Sequence, residues 1–241
     1  MQVSVIVPTL NEAPRIAALI AAHRASPCCR EVLVVDGGSR DGTVEAAREA
    51  GARVLPAPPG RGGQLALGAR QARGEVLLFQ HADTVLPAGA LEAIVAALGD
   101  EGVAGGNFAL TFDGDSRFAR WLTGFYAWFR RRGLYYGDSA IFVRRTVYER
   151  MGGIRPIALM EDYDFCLRLD DEGRVVCLDD PGAVTSSRRF EGRHPAAIFG
   201  QWLLMHALFH LRVPPRLLAR LYDSIRSRER ADGAVNRQSD R

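Results

Sequence analysis

Three polar clusters stand directly after apolar runs in the first ninety residues. Pro8-Thr9-Leu10-Asn11-Glu12 follows Val3–Val7, and Asp36-Gly37-Gly38-Ser39-Arg40-Asp41-Gly42-Thr43 follows Glu31–Val35. His81-Ala82-Asp83-Thr84 follows Glu75–Gln80. In an open parallel sheet, ligands bind beyond the carboxyl ends of the strands, so three such clusters on one edge describe a binding site. Each cluster alone reads equally well as turn and cap residues, which Asp, Gly, Ser and Thr favour. A fourth group, Met160-Glu161-Asp162-Tyr163, puts two carboxylates at the start of a helix. There they suit pairing with the helix dipole.

These residues need elements to carry them. Strand-like runs at Val3–Val7, Glu31–Val35, Arg53–Leu55 and Glu75–Gln80 alternate with helical patterns at Pro14–His23, Thr43–Ala50, Gly62–Ala72 and Gly89–Leu98. That alternation predicts an α/β fold, with a parallel sheet and helices on both faces. The second half predicts strands at Ala104–Phe112, Ser139–Arg144, Val175–Leu178 and Ala183–Ser186. Its predicted helices are Arg117–Arg131, Thr146–Met151, Glu161–Asp171, Pro195–Leu211 and Pro215–Ile225. The expected organisation is one domain over residues 1–225, its halves 1–100 and 101–225, followed by a polar, disordered tail over 226–241.

Composition narrows the chemistry further. The 241 residues are 47% hydrophobic and 24% charged, enough for a sizeable core without disulfides. Every basic residue apart from histidine is Arg; the chain has no Lys. A P-loop lysine, a Schiff-base lysine and a Ser-Lys dyad are therefore excluded. The net charge of +3 is weak, and no nucleic-acid partner is expected. Cys28, Cys29, Cys166 and Cys177 form no CxxC pair and no zinc spacing, so reduced thiols in a cytoplasmic protein are expected. The N-terminus does not read as a signal peptide. The longest apolar stretch, Ala196–Leu211, falls short of the ~20 residues that span a bilayer. His206 and His210 share a helix face but lack the HExxH glutamate, so packing is the expected role. Trp121, Phe125, Trp128 and Phe129 form an apolar stripe that suits core packing or a subunit contact in a homo-oligomer, or else a face towards an apolar acceptor or a peripheral membrane contact.

The Pro8–Glu12 segment, Val34-Val35-Asp36-Gly37-Gly38-Ser39 with Asp41 and Thr43, and the later acids resemble the family 2 glycosyltransferases of the GT-A fold. The resemblance runs over residues 3–190. It implies a Rossmann-like nucleotide-binding sheet with an acceptor-side C-terminal region, and a nucleotide-sugar donor beside an unknown acceptor. It further implies that Asp36 hydrogen-bonds the nucleobase, at uracil N3–H. Thr9, Leu10 and Glu12 line the base and ribose, with Pro8, Gly38 and Ser39 on the same donor surface. Arg61-Gly62-Gly63-Gln64 matches the family's basic, Gly-rich stretch, where glycines admit a diphosphate and Arg binds it bidentately.

Phe79-Gln80-His81-Ala82-Asp83 resembles the family's DxD motif, with His81 in place of the first Asp. By that likeness Asp83 ligates a divalent cation, Mn²⁺ or Mg²⁺, and the imidazole suits Mn²⁺ better. On the acceptor side, Gly137-Asp138-Ser139 resembles the strand leading to the catalytic centre. Met160-Glu161-Asp162 resembles the ED motif, which makes Asp162 the general base of an inverting transfer. His194 is a further candidate ligand, and Arg188 and Arg189 are candidates for an anionic group. The small size resembles a bacterial subgroup tied to arsenosugar-type pathways. The expected function is transfer of a sugar from a nucleoside diphosphate. The alternatives are a nucleotide-sugar-binding protein impaired by His81, and a sugar nucleotidyltransferase. A dehalogenase-type phosphatase is excluded because its nucleophile position holds His81. A dinucleotide oxidoreductase is excluded because GxGxxG is missing after the first strand.

Overall fold

A computed structural model describes residues 1–113, 117–130, 135–187 and 195–225. The chain forms two compact units. One is Met1–Pro156 with Glu161–Ser186, and the other is Ile157–Met160 with Ser187–Arg241. The first unit is built on an eight-stranded sheet in the order β3-β2-β1-β4-β7-β6-β8-β5.

The parallel half follows from uninterrupted apolar runs. β1 (Val3–Thr9) lies between β2 (Cys29–Asp36) and β4 (Val76–Phe79), parallel to both, and β3 (Arg53–Pro56) closes that edge. Val3, Val5, Ile6 and Val7 are all wholly buried, as expected for a strand covered on both faces. α1 (Ala13–Arg24), α2 (Thr43–Glu49) and α3 (Arg61–Gln71) supply the crossovers. α3 lies against β1 and β2 at Gly68. A β-carbon there would stand 2.4 Å from Ile6 Cγ2, so only glycine allows this close approach. Beneath it Ile6, Leu33, Val35, Leu65 and Leu77 join Phe79, Tyr148 and Phe165 in one cluster. The rings of Phe79 and Phe165 meet edge to face at 5.8 Å.

The second half of the sheet departs from an all-parallel arrangement. β6 (Val103–Phe112) follows α4 (Ala90–Ala97), and α5 (Arg117–Arg130) leads on towards β7 (Ile141–Arg144). β7 runs antiparallel to both β4 and β6. Ser139 is not in that strand but in a 3-10 turn, Gly137–Ser139, closed by its own hydroxyl on Tyr136 O at 2.5 Å. The two expected strands at Val175–Leu178 and Ala183–Ser186 are one strand, β8 (Arg174–Thr185), parallel to β6. Its register slips between Phe108 and Leu110, which absorbs the Asp-Asp-Pro-Gly interruption that read as a break. The chain also pairs Thr84–Val85 (β5) with Val184–Thr185, a strand too short to carry a periodic signal. α6 (Arg145–Arg150) and α7 (Glu161–Asp170) complete this unit.

α5 buries Ala119 and Leu122 and leaves Trp121 and Trp128 exposed, with Phe125 stacked on Trp121 at 5.2 Å. In the second unit, α8 (Pro195–His210) is followed by helical residues 215–225. His206 Nδ1 donates to Trp202 O at 2.7 Å, one turn back on its own helix. No helix among the described residues is long and apolar enough to cross a membrane. Arg188, Arg189, His194 and the 226–241 tail lie outside the described residues.

Candidate active site

The site is assembled at the carboxyl ends of β1, β2 and β4, all within the first unit. Two loops there are stitched together. The Asn11, Glu12 and Ala13 N–H groups donate to Ser39 Oγ at 2.8 Å, Thr43 Oγ1 at 2.8 Å and Asp41 Oδ2 at 3.1 Å. α1 has no side-chain cap of its own, so the loop after β2 satisfies the donors at its start. In return the Arg40 N–H donates to Asn11 Oδ1 at 2.9 Å. Ser39, Asp41 and Thr43 thus hold the Pro8–Glu12 loop in place.

Asp36 sits at the centre of this joint, 6% exposed. Its Oδ2 accepts the Gly38 and Ser39 N–H groups, each at 2.9 Å. Its Oδ1 accepts the hydroxyls of Ser39 and of Thr9, the latter at 3.3 Å. Those four bonds match the acceptor capacity of a carboxylate. Burial opposes ionisation, but the hydrogen bonds from Ser39, Gly38 and Thr9 outweigh it and hold the carboxyl below its usual range. A depressed folded value contributes stability that is present above the unfolded value of about 3.9 and lost as pH falls through the folded one. Acid titration of the melting temperature should therefore show a steeper loss below about pH 4 in the wild type than in Asp36→Asn. Equal acid slopes would remove this role.

An open cleft of about 240 Å³ lies beside the joint. Pro8, Thr9, Leu10, Glu12, Arg61, Gln64, His81, Ala82 and Asp83 line it. Asp36, Gly38 and Ser39 are not among those lining residues; they belong to the adjoining joint. Gln64 is 5% exposed, and its amide nitrogen donates to Thr9 O at 3.0 Å and Val35 O at 2.7 Å. Both amide hydrogens are therefore spent on joining the ends of β1 and β2. Gly37 makes room for that amide, since a β-carbon there would come within 3.1 Å of Gln64 Nε2.

The His81–Thr84 turn rests on a buried pair that sequence reasoning missed. Gln80 Oε1 lies 2.6 Å from His23 Nε2, and Gln80 Nε2 donates to Thr84 O at 2.7 Å. Burial lowers the His23 pKa against the pull of the Gln80 bond, so the ring is neutral and donates. A polar residue ending an apolar strand was the only signal for it.

Across the cleft's acidic side, Arg61 opens α3 and reaches α7. Its Nε donates to Glu161 Oε1, and its Nη2 to Asp162 Oδ2 at 3.3 Å. Asp162 Oδ2 also accepts the Gly137 N–H at 3.1 Å, and Oδ1 the Tyr163 N–H at 2.8 Å. Gly137 keeps this corner open. A β-carbon there would stand 3.1 Å from both Asp162 Oδ2 and His81 Nε2. Burial opposes the Asp162 charge, but Arg61, the Gly137 N–H and His81 outweigh it and hold the carboxyl below its ordinary range. Glu161 goes the other way: burial outweighs Arg61, and repulsion from Asp162 adds to the rise. Asp164, a further acid of the same turn, is taken up by Arg155 at 2.8 Å and Arg168 at 2.9 Å. Asp138 adds to the negative field at Arg61.

Among the described residues no group of three or more His, Cys, Asp or Glu side chains is arranged to hold a metal ion. His81 and Asp83 both line the cleft, and a pair of protein ligands suits a cation whose remaining positions are filled by substrate phosphates and water.

The arrangement is an open cleft at the carboxyl ends of the parallel strands, with a buried carboxylate pair joined to its wall through one arginine. Residues 4–152 match the Glycosyl transferase family 2 pattern, and the chain belongs to that family. It is 30% identical to the glycosyltransferase AglE of Haloferax volcanii over 219 residues, covering 83% of this chain and 69% of that protein. A shorter match, 49% identical over 53 residues, is to the glycosyltransferase AglJ of the same organism, of which it covers 17%. Among solved structures, the mannosyltransferase PcManGT of Pyrobaculum calidifontis, in complex with GDP-Man and Mn²⁺, superposes with a TM-score of 0.64 at 24% identity. That match covers 88% of this chain and 64% of that one. Glucosyl-3-phosphoglycerate synthase of Mycobacterium tuberculosis gives 0.61 at 21% identity, covering 88% and 81%. These likenesses establish the GT-A fold. The arsenosugar-type association finds no counterpart among these relatives.

Proposed function

We propose that the cleft binds a nucleoside-diphosphate sugar, UDP-linked, and that the chain transfers the sugar to an acceptor hydroxyl with inversion. The observation that carries this is the position of Asp162: a carboxylate favoured in its ionised form, joined through Arg61 to the cleft lined by Thr9, Gln64, His81 and Asp83. Asp162 takes the acceptor proton as the acceptor oxygen bonds to the anomeric carbon, and the bond to the diphosphate oxygen breaks on the opposite face. Gly137 N–H holds Oδ2 of that base in place. Arg61 faces the negative charge of the leaving nucleoside diphosphate. Asp83, with His81, is the ligand pair for a divalent cation, which when bound supplies positive charge to the diphosphate oxygens. Asp36 reads the base by releasing the Thr9 hydroxyl, the longest of its four hydrogen bonds. The four free thiols suit a reducing compartment, the cytoplasm.

UDP, GDP and ADP, each with Mn²⁺, should be compared by thermal shift. UDP should raise the melting temperature most, and Asp36→Ala should remove that preference. An equal response to all three nucleotides defeats the uracil assignment, and no response to any of them defeats the donor site.

A further inference from the structure

We propose that the Arg61 guanidinium is a shared group: Glu161 and Asp162 hold it while the cleft is empty, and a diphosphate entering beside it draws it away and releases the Asp162 carboxylate. This rests on the reading of the cleft as a nucleotide-sugar site.

Arg61 belongs to both places at once. It lines the cleft with Thr9, His81 and Asp83, and its side chain is 32% exposed. Its ion pairs run the other way, to acids 100 and 101 residues further along the chain. Those two bonds use two of the five N–H donors of a guanidinium. The remaining fork can meet an incoming phosphate before the old bonds part. The two acids do not hold Arg61 equally. The Asp162 bond is long at 3.3 Å, and Oδ2 keeps the Gly137 N–H when the guanidinium leaves. Glu161 is only 2% exposed, and its charge is compensated by Arg61. The geometry therefore makes Glu161 the stronger competitor and Asp162 the acid that is set free. Arg61 is a positioning residue in this scheme, linking donor arrival to exposure of the base.

Removing a charged residue of the site should then improve ligand binding, a change of unusual sign. Glu161→Gln keeps the shape and drops the competing charge, so UDP affinity measured by calorimetry should rise about fivefold or more. Uridine, which carries no phosphate, should bind equally to both proteins. Arg61→Gln should weaken UDP binding, and adding Glu161→Gln to it should bring no gain. Asp162→Asn should give a smaller gain than Glu161→Gln, and it keeps the test available if the buried Gln variant does not fold. A folded Glu161→Gln or Asp162→Asn that binds UDP no better than the wild type overturns the shared guanidinium, as does a gain that persists without Arg61. Wild-type protein that binds neither UDP nor GDP overturns the nucleotide-sugar reading itself, and this proposal with it.

Discussion

Asp162→Asn lowers turnover by about 10²–10⁴-fold while UDP affinity is no weaker than in the wild type. The size is that of losing a positioned general base. The isosteric amide keeps the space between Gly137 and Tyr163 filled but cannot take the acceptor proton. In the wild type Arg61, the Gly137 N–H and His81 favour the charged carboxylate against the cost of burial, and departure of Arg61 leaves it free to accept. The same mechanism sets the stereochemistry, and an α-linked donor yields a β-linked product by NMR. Near-normal turnover in the variant, or a product with retained configuration, would sink the single displacement while leaving family membership untouched.

Withdrawal of divalent cation by EDTA lowers turnover by about 10²-fold or more and weakens UDP binding; Mn²⁺ restores both. The expected size reflects the several kcal/mol that a cation contributes to charge developing on a leaving group. Asp83→Asn reproduces the loss and is not rescued by Mn²⁺. Asp83 and His81, both on the cleft wall, are the ligand pair proposed for it. On the same proposal, His81 sets the preference among metals. Imidazole suits Mn²⁺, and a second carboxylate suits a hard cation, so His81→Asp shifts the response towards Mg²⁺. UDP affinity and turnover that ignore EDTA would show that Arg61 manages the diphosphate without a cation.

Much of this protein was legible from local pattern. Uninterrupted apolar runs broken by helical periods described β1 to β4 and α1 to α4 within one or two residues, because both signals repeat over a few neighbours. The polar clusters after β1, β2 and β4 were visible for the same reason: a parallel strand must end in a turn, and turn residues are chemically distinct. The acids opening α7 stood out as a pair before an apolar run.

Only the tertiary structure decided who meets whom. Nothing near Arg61 in the chain points to Glu161 and Asp162; that meeting exists because the ends of α3 and α7 are brought together. The antiparallel entry of β7, the single β8 and the two-residue β5 depend on strand order, and periodicity does not encode strand order. Gln64 read as a donor ligand from its neighbours, yet its amide is committed to carbonyls on two strands. Ser39 likewise serves the start of α1. His23 and Gln80, 57 residues apart, carried no motif at all. The physical reason is common to these cases. Residue type and spacing state which hydrogen bonds a side chain is able to make, but buried polar groups take whatever partner the packed chain brings within about 3 Å.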